Sequence, residues 1–185
     1  MTAPAKYSDL TGTYTLDPAH TRIGFVARHA MVTKVRGSFN EFEGSVQVDG
    51  DSPEKSGATV TIKTHSIDTR NADRDGHLRS NDFLQMDEYP EITFATTGIE
   101  QTGDDSFDVT GDLTIKGVTK NLTIPFSYEG TAQDPFGNTR VGFEGSTVIN
   151  RKDFGITWNA TLETGGVLVS DKVTLEFEVS AIKNA

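Results

Sequence analysis

"FDVTGDLTIKGVTKNLTIPFSY", from Phe107 to Tyr128, is a hairpin written out in full. As far as Ile115, every odd place holds Phe, Val, Gly, Leu or Ile, and every even place holds Asp or Thr. Lys116–Gly117 interrupts the pattern, after which Leu122, Ile124, Phe126 and Tyr128 again share one parity. A period of two is the period of a strand, whose side chains point alternately to opposite faces. Two strands with one dry face each, joined by a two-residue turn containing glycine, make an antiparallel pair.

The same alternation recurs along the chain. Val141, Phe143, Gly145 and Ile149 share a parity, as do Val173, Leu175, Phe177, Val179 and Ala181. Shorter examples are Ile23, Phe25 and Ala27, and Val60 and Ile62. One segment breaks step: Val35, Gly37 and Phe39 are odd, whereas Phe42, Gly44, Val46 and Val48 are even. A one-residue slip would turn every later side chain to the wrong face. A bulge or sharp bend is therefore expected near Asn40–Glu41. Turn-rich "VDGDSPEKSG" (Val48 to Gly57) and "DPFGN" (Asp134 to Asn138) read as strand connections. From about Thr64 to Pro90 alternation fails, and "DGHLRSNDFLQM" suggests a short helix within a long crossover.

Eight to ten strands in 185 residues form one domain, either a sandwich or a closed barrel. Several runs exceed the usual length of about 5–6 residues, which favours the barrel. The expected fold is all-β, a single extended antiparallel eight-stranded barrel. Residues 1–10 are assigned to an N-terminal tail and 11–185 to the barrel.

The net charge of −10 opposes nucleic acid, and disfavours an anionic membrane by charge alone. With no cysteine there is neither a disulfide nor a thiol nucleophile. "MTAPAKYSDL" does not read as a secretory signal, and no apolar run of about 18 residues marks a membrane span. A cytoplasmic location is expected, or a periplasmic or secreted one if a leader was removed. Nothing in the sequence calls for a cofactor, and either a monomer or a homodimer is compatible with it.

An eight-stranded barrel either packs its own side chains or holds one small ligand. Glycines at inward parity (Gly37, Gly44, Gly111, Gly145) leave room, but they also mark bends with no cavity implied. Should a cavity exist, its expected lining is Ile23, Phe25, Val35, Phe39, Phe42, Phe94, Leu113, Phe126 and Phe143. Such a wall suits an aliphatic or isoprenoid chain, not a sugar or nucleotide.

"NADRDGHLRSND" (Asn71 to Asp82) imitates a calcium loop, with oxygens at places one, three and five, glycine at six and a carboxylate at twelve. The preceding "VTIKTHSIDTR" reads as a strand, however, and Arg79 occupies a ligand position. The better reading places Asp73 and Asp75 in the first turn of a helix, where negative charge suits the dipole, with Arg74 and Arg79 in ion pairs. His20, His29, His65 and His77 contain no pair at ligand spacing. No Gly-x-Ser-x-Gly elbow appears, and spacing singles out no acid–base pair. A metal-dependent enzyme using the barrel mouth, with His20 or His29 as ligands, is the alternative to a binding protein.

Four stretches carry a family resemblance: "YTLDPAHTRIGFVARHAMVTKVRGSF" (Tyr14 to Phe39), "SIDTRNADRDGHLRSNDFLQMDEYPEITF" (Ser66 to Phe94), "GDLTIKGVTK" (Gly111 to Lys120) and "INRKDFGI" (Ile149 to Ile156). Together they resemble the YceI-like family of lipocalin-like barrels that bind polyisoprenoids and related lipids. The resemblance implies about eight strands, a helix in the 64–90 crossover, and a deep apolar tunnel with the lipid head group near its mouth. On that reading His29, Arg74, Asp75 and Arg79 face the head group. Many members of the family carry an export signal.

Overall fold

The computed structural model describes residues 7–162 and 166–184. Eleven strands form in chain order: β1 (Gly12–Leu16), β2 (Arg22–His29), β3 (Thr33–Phe39), β4 (Phe42–Val48), β5 (Gly57–Lys63), β6 (Ile67–Asp68), β7 (Glu91–Gln101), β8 (Ser106–Ile115), β9 (Val118–Gln133), β10 (Thr139–Asn150) and β11 (Lys172–Lys183). One helix, α1 (Ala72–Arg79), lies between β6 and β7. Eight strands close a ring in the order β1-β4-β5-β7-β8-β9-β10-β11, sealed by pairing of β1 with β11, and every pairing is antiparallel. This is the expected barrel.

The other three strands arise because β11 is long. Its end, Ala181–Lys183, pairs with β1, whereas Thr174–Glu178 pairs with β2. Beyond β2 lie β3 and then the two-residue β6. Strands β3 and β4 are one path bent at Asn40–Glu41, as the parity switch requires: Phe39 pairs with Ile23 and Ile67, and Phe42 with Ile62. The Asn40 amide donates to the Ser66 carbonyl at 3.2 Å, and the Lys63 amide to the Glu41 carbonyl at 2.9 Å, so the bend is hydrogen-bonded in place.

Lys116 and Gly117 both have positive φ (52° and 76°) between the paired Ile115 and Val118, a type I′ turn whose twist matches the flanking strands. A bulge between Thr96 and Gly98 on β7 moves Ile99 onto the face that Phe94 occupies.

The crossover contains the helix, with Asp73 and Asp75 in its first turn as expected, but it ends before Phe83, Leu84 and Met86. Asn71 caps it by accepting from the Arg74 amide at 2.9 Å, Asp73 and Asp75 fill its first turn, and it ends at Arg79. Phe83 and Leu84 follow in a turn and are buried. The expected ion pairs of Arg74 and Arg79 do not form among the described residues. Arg74 donates to the Thr69 hydroxyl at 2.7 Å and the Thr69 carbonyl at 2.6 Å, and Arg79 donates to the His65 carbonyl at 3.1 Å. Neutral oxygens of the adjoining turn lie closer to these guanidiniums than any carboxylate does.

Both ends of the barrel are covered. At one end sit α1, Phe83, Leu84 and the 3-10 turn Arg151–Phe154, in which Arg151 and Phe154 are buried. At the other, Tyr7 is buried and its ring meets Phe107 and Tyr128 edge-on, with centroids 5.7 and 5.3 Å away. Residues 7–10, expected in the tail, are thus packed against the barrel as far as they are described. Tyr14 donates to the Leu10 carbonyl at 2.8 Å and holds the segment there.

Candidate functional site

The inward-facing residues of the ring do not fill it. They leave a cavity of about 200 Å³ running from Ile62 and Leu113 toward Tyr7 and the β4–β5 connection. Its wall is almost wholly apolar: Val46, Val48 and Val60 on one side, Phe107, Val109, Ile124 and Phe126 on another, and Val141, Phe143, Phe177 and Val179 closing the circle.

Glycine does not create this space. A Cβ on Gly145 would come within 2.6 Å of the Phe126 ring, and one on Gly111 within 2.5 Å of the Phe94 ring. Gly37 lies under Phe25 in the same way, and a Cβ on Gly44 would reach 2.8 Å from Leu16. The glycines let large side chains lie flat on the wall, and the void is what remains at the centre. The expectation that they open room directly is corrected: a Cβ at any of these positions would strike a neighbour.

Few polar side chains touch the cavity, and those that do are already engaged. Thr96 exchanges hydrogen bonds with the Ala58 amide (2.8 Å) and carbonyl (3.3 Å), and Thr21 with the Ser180 amide and carbonyl, both at 3.0 Å. Asp49 accepts from the Asp51 and Ser52 amides at 3.2 and 2.9 Å, and Ser56 accepts from the Asp49 amide at 2.9 Å. Tyr7 donates to the Asp104 carbonyl and, at 2.7 Å, to the Asp105 carboxylate. Groups so committed offer a ligand shape and dryness rather than hydrogen bonds.

Of the nine expected lining residues, Ile23, Phe94, Leu113, Phe126 and Phe143 line the cavity. Phe25, Val35, Phe39 and Phe42 lie outside it. Phe25 and Phe39 pack on each other, centroids 5.8 Å apart, Val35 pairs with Ala27, and Phe42 is buried in the core. They have inward parity but belong to the β2–β3 tier or the bend, beyond the cavity's end. Missed were Phe107, Val109, Val141, Phe177 and Val179, which share the parity of the residues that were named. For Tyr7 and Leu10, which lie outside any alternating run, the sequence holds no comparable signal.

His29, Arg74, Asp75 and Arg79 do not line the cavity. His29 is exposed at the end of β2. Asp75 is buried and accepts from the Thr69 amide at 2.9 Å and from its hydroxyl, holding the turn into α1. The calcium-like stretch is therefore a capped helix and the turn after it: Asn71 caps the helix, Asp75 turns inward, and Asp82, in the turn, bonds His77 at 2.8 Å. Among the described residues no three His, Asp, Glu or Cys side chains converge as metal ligands. His20 bonds Asp17 at 2.6 Å, and His65 approaches Glu41 at 3.4 Å.

Comparison with known proteins agrees with this geometry. A UPF0312 protein of Staphylococcus aureus (strain MSSA476) is 40% identical over 169 residues, 91% of this chain and 95% of its own length. The crystal structure of Burkholderia cenocepacia BcnA superposes with a TM-score of 0.79 at 25% identity, covering 89% of this chain and 98% of BcnA. A Saccharophagus degradans domain described as polyisoprenoid-binding shares the fold, with a TM-score of 0.71 at 16% identity and coverage of 92% and 98%. The model of the YceI-like domain matches residues 14–181, and by that match and the S. aureus relative this chain belongs to the YceI-like family.

Proposed function

We propose that the protein binds one long-chain, isoprenoid-type lipid without chemical change, holding the tail in the barrel cavity to sequester or carry it. One observation carries this reading: the cavity wall is apolar and the polar side chains beside it are engaged by the protein itself. Among the described residues a polar substrate would find few free partners there, whereas an alkyl chain needs none. Burial contributes roughly 25 cal/mol per Å² of apolar surface, before ordering and association costs. The polyisoprenoid named for the Saccharophagus degradans domain supports the choice of lipid.

At about 200 Å³ the cavity is smaller than sites for drug-sized ligands, which run to roughly 300–1,000 Å³. A long chain therefore enters by displacing some of the lining rings, or only part of it is enclosed. The cavity reaches toward Tyr7, so the head group is expected at that end, away from His29, Arg74, Asp75 and Arg79.

The test combines native mass spectrometry and solvent extraction of the purified protein with titration by a polyprenyl alcohol. A lipid-sized mass or saturable binding is expected, and Val109→Asp with Val179→Asp should abolish it. Full affinity in that variant, still folded by circular dichroism, would sink the proposal.

A further inference from the structure

The β2–β3 hairpin carries side chains that neither the cavity nor the core employs. Val32 donates to the His29 carbonyl at 3.0 Å across a turn in which Ala30 and Met31 have φ of 52° and 61°. That is a type I′ turn, which favours Asn-Gly; here it projects Met31 and Val32, which are 55% and 79% exposed. Val167, also exposed, lies on the neighbouring segment, which is tied to the turn by the Ala30 amide and Leu168 carbonyl at 2.7 Å.

The stem is cationic in a protein of net charge −10. Between Ala27 and Ser38 stand Arg28, Lys34 and Arg36 and no carboxylate. All three are exposed, and Arg28 sits directly opposite Lys34 across the strands. Like charges facing each other in a sheet destabilise it, and none of the three forms an ion pair among the described residues. Arg36 also lines a groove with Glu144, Glu176 and Glu178, but Arg28 and Lys34, facing each other, gain nothing from the fold and would gain from an anionic partner.

We infer that the hairpin tip is a docking site for an anionic lipid surface: Met31 and Val32 enter the headgroup–acyl boundary while Arg28, Lys34 and Arg36 meet lipid phosphates. An exposed apolar tip beside three cations is the chemistry of an interfacial anchor. The overall negative charge does not oppose it, since at physiological salt charges beyond about 8 Å are screened and the local patch dominates. The inference stands independently of what the cavity holds.

The test is flotation of the full chain with phosphatidylcholine vesicles, with and without phosphatidylglycerol. Binding is expected only with phosphatidylglycerol and should weaken as salt rises. Arg28→Glu with Lys34→Glu should lower partitioning at least tenfold, at roughly fivefold for each cation lost. Met31→Asn with Val32→Ser, which keeps a residue tolerant of positive φ at the turn, should also lower it severalfold, with an unchanged melting curve as the control for folding. No binding of the unaltered chain to phosphatidylglycerol vesicles overturns the inference, and so does unchanged partitioning in either variant. Loss of binding on Phe136→Ser alone, in the β9–β10 turn at the Tyr7 end, also overturns it by moving the docking face. Cavity variants that lose lipid yet still float separate this result from the proposed function.

Discussion

Phe126 lies against Gly145, its partner across β9 and β10, so closely that a Cβ on the glycine would come within 2.6 Å of the ring and 2.8 Å of the Pro125 carbonyl. Phe94 over Gly111 and Phe25 over Gly37 repeat the arrangement. The width of the cavity depends on the Phe126 and Phe94 rings lying flat, whereas Phe25 lies beyond its end. Gly145→Ala must push Phe126 inward, at a cost of about 1–3 kcal/mol for overpacking. Urea unfolding should show that loss, and lipid titration should show weaker binding because the ring then occupies the cavity.

Arg151 is 4% exposed and donates to the carbonyls of Ser170 (2.9 Å), Ile156 (2.8 Å) and Trp158 (2.9 Å), fastening the segments that cover one end of the barrel. Arg151→Met leaves those carbonyls without their donor. At about 1–3 kcal/mol for each buried unsatisfied group, a loss of at least 3 kcal/mol is expected by chemical denaturation. Arg151→Lys should recover only part of it, because an ammonium cannot reproduce the planar fork.

Asp75 is expected to matter for stability and not for ligand. Asp75→Asn weakens its bonds to the Thr69 amide and hydroxyl and should cost about 1–2 kcal/mol. Its affinity for a polyprenyl alcohol should match that of the unaltered chain. A selective loss of affinity at unchanged stability would instead assign Asp75 to the head group.

Acid should loosen the turn between β9 and β10. Burial would raise the Asp134 pKa, but hydrogen bonds from Asn138, Arg140 and Phe136 outweigh it and bring it from 3.8 to about 2. A carboxylate with a lowered folded-state pKa stabilises the protein above its unfolded value and loses that contribution as pH falls through the folded value. The window therefore lies between about pH 4 and pH 2. Asp17 adds to it in the same direction, its pKa held down first by Arg140 and then by His20. In Asp134→Asn, the fall in melting temperature across that window should be shallower.

Tyr7 closes the cavity at one end, packed between Phe107 and Tyr128. Tyr7→Ala should open that end and speed lipid dissociation, read by stopped-flow displacement, with a smaller effect on equilibrium affinity. An unchanged dissociation rate would place the entrance elsewhere.

Although β1, β6 and β7 were not singled out, most of the strands and their dry faces, the Lys116–Gly117 turn and the bend at Asn40–Glu41 were legible in the sequence. Each follows from local geometry: a pleat reverses direction at every residue, and a type I′ turn needs positive φ at two adjacent places. The pairing of rings with glycines was not legible, because it depends on the register of each hairpin, and β9–β10 carries a register shift between Gly142 and Phe143 that no local pattern announces. For the same reason parity named Phe25, Val35, Phe39 and Phe42 beside true lining residues: it reports the face of a strand, not the height along the barrel axis. Height is set by the stagger between strands and by β11 serving both β1 and β2, which no single segment encodes. The order of residues thus determined an alternating β chain with an oily side. Whether that side touched itself or enclosed a void was decided only when eight strands closed and their rings lay down against the wall, because empty space belongs to no residue.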